Sequence, residues 1–308
     1  MARKIILDID PGVADAMAVC LALGDPQLEV VAVTATGGNV VPRQSTRNVQ
    51  TIIEQLDPCR WPRIGAADLE QPLRTDGREL YGPDGFCGAQ FGVAELHHRH
   101  PSGKVMIDEV RSASDPVTIV ACGPLSNIAA MLQREPDLAT QVGHLVIVGG
   151  TLNGPGNVTA AAEFNIYCDA EAARQVFHSP LTKTLIPLDI SSQVILVYDL
   201  LGCLSPDKTP AGRLLHAILP GMYHTYRQRL GLEGIFVHEV VGLMAVTMPD
   251  LFTTEPLYGD VETGDCLTHG ATVIDRRIRS AGMPNMDVIV GLDAPAVVEA
   301  IQSRLQNL

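Results

Sequence analysis

A chain of 308 residues that is 46% hydrophobic can bury a sizeable core, and β-α alternation along its length predicts one α/β domain over 1–308 rather than two. Its net charge of −13 gives no footing on phosphate backbones or anionic lipid, which excludes nucleic acid and membrane as partners. The seven cysteines are odd in number, scattered and without C-x-x-C spacing, and only three apolar residues follow Lys4 before a charge. The expectation is a reducing cytoplasm, with no disulfides, no zinc and no signal or spanning segment.

The opening strand, predicted over Ile5–Leu7, climbs into Asp8 and Asp10; Pro11-Gly12 breaks it, and Asp15 opens an amphipathic run, Ala16–Leu23. Alternation places Asp8 and Asp10 on one face at the strand's carboxyl end, with Asp15 in the first helical turn beside them. Two like charges about 4 Å apart repel by roughly 4 kcal/mol at a dielectric of about 20, so such a cluster holds a proton, a basic side chain or a metal ion. No basic residue lies in this turn, and all-oxygen ligation favours Ca²⁺ or Mg²⁺ over zinc. The plainer alternative makes Asp15 a helix-terminal charge and Asp10 a cap.

Apolar stretches over Ile5–Leu7, Val30–Val33, Val117–Val120, Leu145–Val148 and Val288–Val290 read as strands buried on both faces, which predicts a mainly parallel sheet; Thr184–Leu188 leads to Asp189. A helix from about Ser45 sets Val49, Ile52, Ile53 and Leu56 at helical spacing. Asn39 sits among glycines at a strand's carboxyl end, where open sheets hold their ligands. Pro58–Thr75 reads as a polar connection, Gly82–Gly88 as a glycine-rich loop able to act as a lid, and His97-His98-Arg99-His100 as solvated surface.

The turn Cys122–Asn127 leaves backbone carbonyls available to a hard cation before the helix Ile128–Leu132. Gly149–Asn157 is glycine-rich but lacks a phosphate-loop pattern. Glu163 and Asn165, two apart in an extended segment, offer paired hydrogen bonds to a polyol such as a sugar, or else form a solvated polar pair. Asp169 caps the helix Ala170–Phe177, and Asp189 reads as a strand-end cap. Tyr223, His224, Tyr226, Arg227 and Arg229 make an aromatic, basic helix face beside a pocket or solvent. His238-Glu239 opens the apolar helix Val240–Met248; Val261–Arg277 is an antiparallel excursion, and a helix capped by Asp293 closes the chain.

Taken together, these residues resemble the inosine-uridine nucleoside hydrolase family over nearly the whole chain. The family's D-x-D-P-G-x-D-D-A appears as D-I-D-P-G-V-A-D-A from Asp8, followed in order by Gly38-Asn39, G-P-L-S-N at Gly123–Asn127, G-N-V-T at Gly156–Thr159, A-E-F-N at Ala162–Asn165 and a late His-acid pair. The resemblance implies a calcium-dependent N-ribohydrolase on a Rossmann-like, open, mainly parallel sheet flanked by helices, acting on a nucleoside as a homodimer or homotetramer. It makes Asp10 a Ca²⁺ ligand and the base for the attacking water, Asp15 a bidentate ligand, Cys122 a carbonyl ligand and Glu239 the ligand that is usually Asp. Asn157, Glu163 and Asn165 become ribose-hydroxyl partners, and His238 the histidine near the leaving base.

Ala14 and Glu239 depart from the family, which has Asp at both positions, and Tyr81 stands where its lid often has His. Loss of one charged hydrogen bond costs about 1.5 to 3 kcal/mol, which predicts residual ribose release with weaker discrimination against 2′-deoxynucleosides. The alternative is an impaired homologue that binds a ribosyl ligand or a metal without efficient turnover. A haloacid-dehalogenase-type phosphatase also begins with D-x-D, but it wants Thr or Val where Gly12 stands and has no use for A-E-F-N.

Overall fold

Alternation of apolar side chains decides how the first strand is buried. In β1 (Arg3–Ile9), Ile5, Leu7 and Ile9 face one core and Ile6 the other, all without exposed surface. A strand covered on both faces sits in the interior of a parallel sheet. The computed structural model describes residues 2–71, 73–94, 100–277 and 282–308, so His97, His98 and Arg99 lie outside the described residues.

On one side of β1 lie β2 (Leu28–Ala35), β3 (Arg63–Ala66) and β4 (His100–Pro101); on the other lie β5 (Val117–Ala121), β6 (Val142–Val148) and β7 (Lys183–Ile186). A short antiparallel pair, β8 (Ile195–Val197) with β9 (Gly234–Phe236), stands apart. β10 (Phe252–Val261), β11 (Thr272–Asp275) and β12 (Met286–Leu292) complete a ten-stranded sheet in the order β11-β10-β12-β7-β6-β5-β1-β2-β3-β4. Only β10 runs against its neighbours, so the antiparallel excursion predicted over Val261–Arg277 begins earlier, at Phe252, and returns through β11. The strand order reverses between β1 and β5, and that switch point opens a crevice beyond the strands' carboxyl ends.

Apart from Asp15, the helix Val13–Gly24 is apolar all round, as fits a helix covered by the sheet on one side and by the helices Pro210–Thr225 and His238–Thr247 on the other. Asp169 and Asp293 cap their helices as predicted, accepting from Ala172 N and Ala296 N, each at 3.1 Å. Pro58–Thr75 is not pure connection, since it contains β3; four residues with one glycine carry too little periodicity to stand out. Among the described residues no disulfide forms, and no helix is long and apolar enough to cross a membrane.

Candidate active site

Asp10 lies one residue past β1, where the loops after β2 and β5 leave it room only because they carry glycine. A Cβ on Gly38 would stand 2.1 Å from Asp10 Oδ2, and one on Gly123 would stand 3.0 Å from Oδ1. The backbone N–H of Asn39 donates to Asp10 Oδ2 at 2.8 Å, while Oδ1 is buried without a partner. The sequence reading of Asp10 as a cap therefore fails: Gly12 holds that position on the Val13–Gly24 helix. Asp15, three residues further on, takes the Gly12 N–H on Oδ2 at 2.8 Å and leaves Oδ1 buried and unpaired.

Glu239 completes the group from the far end of the chain, in the first turn of the helix His238–Thr247, with Oε2 buried and unpaired. Burial and then the Asp15 charge push the Asp10 carboxyl well above the carboxylate range, with Glu239 adding to the effect. Burial raises Asp15 to about 7. Burial, then Asp15, raises Glu239 well above its ordinary value. No group of three or more His, Cys, Asp or Glu side chains among the described residues is already arranged to hold a metal ion. The orphaned oxygens nevertheless form the donor set a hard cation takes.

Asp8 was expected to share this cluster and is drawn elsewhere. Its Oδ1 accepts from Thr34 Oγ1 and Asn127 Nδ2, both at 2.8 Å, because β2 and the turn after β5 present hydroxyl and amide on that side, while its Oδ2 is buried without a partner. Burial raises its carboxyl to about 7.

The Cys122 carbonyl accepts from Asn165 Nδ2 at 2.8 Å, and the same amide donates to Val148 O at 3.0 Å. Both amide hydrogens are thereby used, and Asn165 Oδ1 remains an acceptor on the cleft wall. Glu163 and Asn165 open the short helix Phe164–Cys168 rather than an extended segment. Glu163 caps that helix, taking Asn165 N at 2.9 Å and Ile166 N at 3.1 Å, and also takes Gly150 N at 2.9 Å. Asn157 is exposed at the rim, its Oδ1 accepting from Phe164 N at 2.8 Å. Asp189 is no helix cap; it lies in the short helix Leu188–Ser191 and receives the amides of Leu152, Asn153 and Gly154. The N–H groups of Gly150, Leu152, Asn153 and Gly154 are thus spent on the protein's own carboxylates and those of Gly149, Thr151 and Gly156 on other protein oxygens, which is why the loop is no phosphate cradle.

Asn157, Glu163, Asn165, Asp189 and Glu239 line a cleft of about 1170 Å³ together with Asn39, His238 and Tyr226. His238 is partly exposed to it, stacks on Phe236 with ring centroids 5.4 Å apart, and pairs through Nδ1 with Ser191 Oγ at 2.8 Å. Apolar enclosure lowers its pKa to about 4, so the ring is neutral at pH 7. Tyr223 turns inward, donating to Val197 O at 2.8 Å, whereas Tyr226 and Arg229 reach the cleft from a π-helical turn, Tyr226–Leu230. The phenols of Tyr81 and Tyr226 meet. Asn48 fastens the Gly82–Gly88 loop to the Asp10 turn, donating to Asp84 O at 2.8 Å and Pro11 O at 3.0 Å. Ser191 and the Tyr81–Tyr226 pair escaped sequence reasoning, because no spacing rule joins residues that meet only across the cleft. Ala14, 3% exposed, belongs to the apolar core.

Buried carboxylates thus lie at the switch point of an open, mostly parallel sheet, beside a cleft lined by Asn39, Asn157, Glu163, Asn165 and His238. The chain belongs to the inosine-uridine preferring nucleoside hydrolase family, whose model matches residues 5–299. It is 36% identical over 298 residues to the non-specific ribonucleoside hydrolase RihC of Klebsiella pneumoniae subsp. pneumoniae, covering 95% of each chain. It is 34% identical over 316 residues to the pyrimidine-specific ribonucleoside hydrolase RihA of Escherichia fergusonii, covering 99% of each. Its fold matches a plant nucleoside hydrolase, PpNRh1, with a TM-score of 0.91 at 28% identity over 99% of both chains. A purine-preferring ribonucleoside hydrolase from Gardnerella vaginalis gives a TM-score of 0.88, also at 28% identity, over 99% of this chain and 98% of the other. The chain is accordingly a nucleoside N-ribohydrolase on a mostly parallel sheet flanked by helices.

Proposed function

We propose that this hydrolase acts with a Ca²⁺ ion held by Asp10, Asp15, Glu239 and the Cys122 carbonyl, with Asp10 as the base that takes a proton from the attacking water. The observation that carries this reading is that, of the four carboxyls with a buried, unpaired oxygen, Asp10, Asp15 and Glu239 act on one another, the Asp15 charge raising the pKa of the other two, with no cation beside them among the described residues. Bare like charges at such burial are costly, and hard oxygen donors suit calcium's tolerant geometry, which also accommodates Glu in place of Asp. When bound, such an ion supplies Lewis acidity that lowers the pKa of a water and orients the ribose diol.

The chain's own groups do the rest. Departure of the base leaves oxocarbenium character on the ribose, which the surrounding carboxylates stabilise. The Asn39 N–H holds Asp10 in place through Oδ2, leaving Oδ1 to receive the proton. Asn165 Oδ1 accepts from a ribose hydroxyl, Glu163 keeps one acceptor site beyond the three amides it serves, and Asn39 and Asn157 lie along the same wall. His238 faces the leaving base; being neutral at pH 7, it offers a hydrogen bond to the charge that develops there. Ala14 contributes no polar contact to the sugar, so 2′-deoxynucleosides are discriminated against weakly.

The test is release of reducing sugar from a panel of ribo- and 2′-deoxynucleosides, with and without chelator, beside metal analysis of protein dialysed against calcium. Chelator-sensitive release from both sugar series is expected. Full activity in chelator would remove the ion from the reading, and no release from any nucleoside would leave a protein that only binds a ribosyl ligand or metal.

A further inference from the structure

Ser191 lies in the short helix Leu188–Ser191, 1% exposed, and its hydroxyl has one proton and three neighbours. His238 Nδ1 is 2.8 Å away, Pro187 O 3.2 Å and Leu188 O 3.3 Å. Hydroxyl-to-oxygen hydrogen bonds centre near about 2.7 to 2.8 Å, so both carbonyl distances are long. Each carbonyl takes a backbone N–H on one lone pair, Ser191 N at 2.9 Å on Pro187 O and Ser192 N at 2.8 Å on Leu188 O, and has a second to offer, so distance decides between the acceptors. The proton thus has one good acceptor. Which ring nitrogen of a histidine carries hydrogen follows from the network around it.

We infer that Ser191 is a positioning residue that donates to His238 Nδ1 and so holds the ring as the Nε2–H tautomer, presenting a hydrogen-bond donor to the leaving base. The ring's stacking on Phe236 fixes its plane, and the Ser191 bond fixes which edge turns to the cleft. Nε2 makes no hydrogen bond to any described residue. Were the hydroxyl instead directed at a carbonyl, Nδ1 would carry the proton and Nε2 would face the base with a lone pair, opposing the negative charge that develops there. No proton has to leave the ring; the donor hydrogen bond lowers the barrier while solvent completes protonation of the base. This rests on the proposed place of His238 at the leaving base.

Nitrogen-15 spectra of histidine-labelled protein at pH 7, with His238 assigned through His238→Gln, should show a protonated Nε2 and a bare Nδ1, and Ser191→Ala should mix the two forms. Ser191→Ala should lower kcat about tenfold on a nucleoside whose base needs a hydrogen bond to depart, the worth of one ordinary hydrogen bond. KM should stay within about twofold, as should hydrolysis of a ribosyl nitrophenol, whose leaving group is stable as an anion. Ser191→Thr, which keeps the hydroxyl, should restore both the spectrum and kcat. A proton on Nδ1 in the unaltered protein, or an equal loss on both substrates, overturns the inference. Were the unaltered protein inactive on both substrates, the proposed function would fall, and the nitrogen spectrum would still decide the tautomer.

Discussion

Asn165 and Cys122 are 43 residues apart in sequence, and the side-chain amide of the first donates to the carbonyl of the second at 2.8 Å. That bond, with its twin to Val148 O, sews the strand ends of β5 and β6 to the helix Phe164–Cys168. The Cys122 carbonyl is aimed by its neighbours, while its second lone pair stays available. Asn165→Ala leaves two buried carbonyls unpaired, at about 1 to 3 kcal/mol each. For a chain of this size each kcal/mol lowers the melting temperature by about 2 °C. A loss of about 4 to 12 °C in a thermal scan is expected, together with a raised KM; an unchanged melting temperature would show that the two bonds carry no net stability.

Asp10→Asn should separate activity from stability. Removal of a general base costs about 10² to 10⁴ in kcat. In chelator the same variant should melt higher than the unaltered protein, since one buried like charge has gone. The sign follows from the raised pKa values. Asp15 folds with a pKa of about 7 against an ordinary 3.8, so the folded state holds protons that the unfolded state releases in between. Stability of the chelated protein is therefore full below about pH 4 as regards this group, and is lost as pH rises towards 7. Added calcium should cancel the loss; melting curves across that range, with and without the ion, check it.

Gly85 adopts φ +79, and a Cβ there would stand 2.7 Å from Asn48 Nδ2 and 3.0 Å from Pro11 O. Gly85→Ala combines a strained backbone with displacement of the amide that fastens the loop to the Asp10 turn. We expect about a tenfold fall in kcat/KM, with a loss of about 1 to 3 kcal/mol in denaturant unfolding. Activity equal to that of the parent would show that this loop has no bearing on the site.

Lys183 is 2% exposed, and its ammonium donates to Ser179 O at 2.7 Å and Leu181 O at 3.1 Å. Burial lowers its pKa to about 8 from 10.5. Here the folded state binds fewer protons than the unfolded one, so stability is present above pH 10.5 and is lost as pH falls through 8. Lys183→Met should raise the melting temperature by a few degrees at pH 7, with the gain shrinking between pH 8 and 10.5. A gain independent of pH would point to packing instead.

Local pattern was enough for much of this molecule. Apolar alternation in β1 settles its burial on both faces, Asp169 and Asp293 announce their helices, and the order of short motifs names the family. Glycine at 38 and 123 was legible as motif, but its reason, the Asp10 carboxylate filling the space, appears only when β1 lies between β2 and β5. Periodicity reports which face a side chain takes; it does not report what a distant segment brings to that face. For that reason Asp8 looked like a partner of Asp10 until Thr34 and Asn127 claimed it, Asp189 looked like a cap until the loop Leu152–Gly154 turned its amides inward, and Ser191 carried no signal at all. Strand order, decided by long-range pairing, brought the charge of Glu239 to bear on Asp10 and set a serine against the ring of His238.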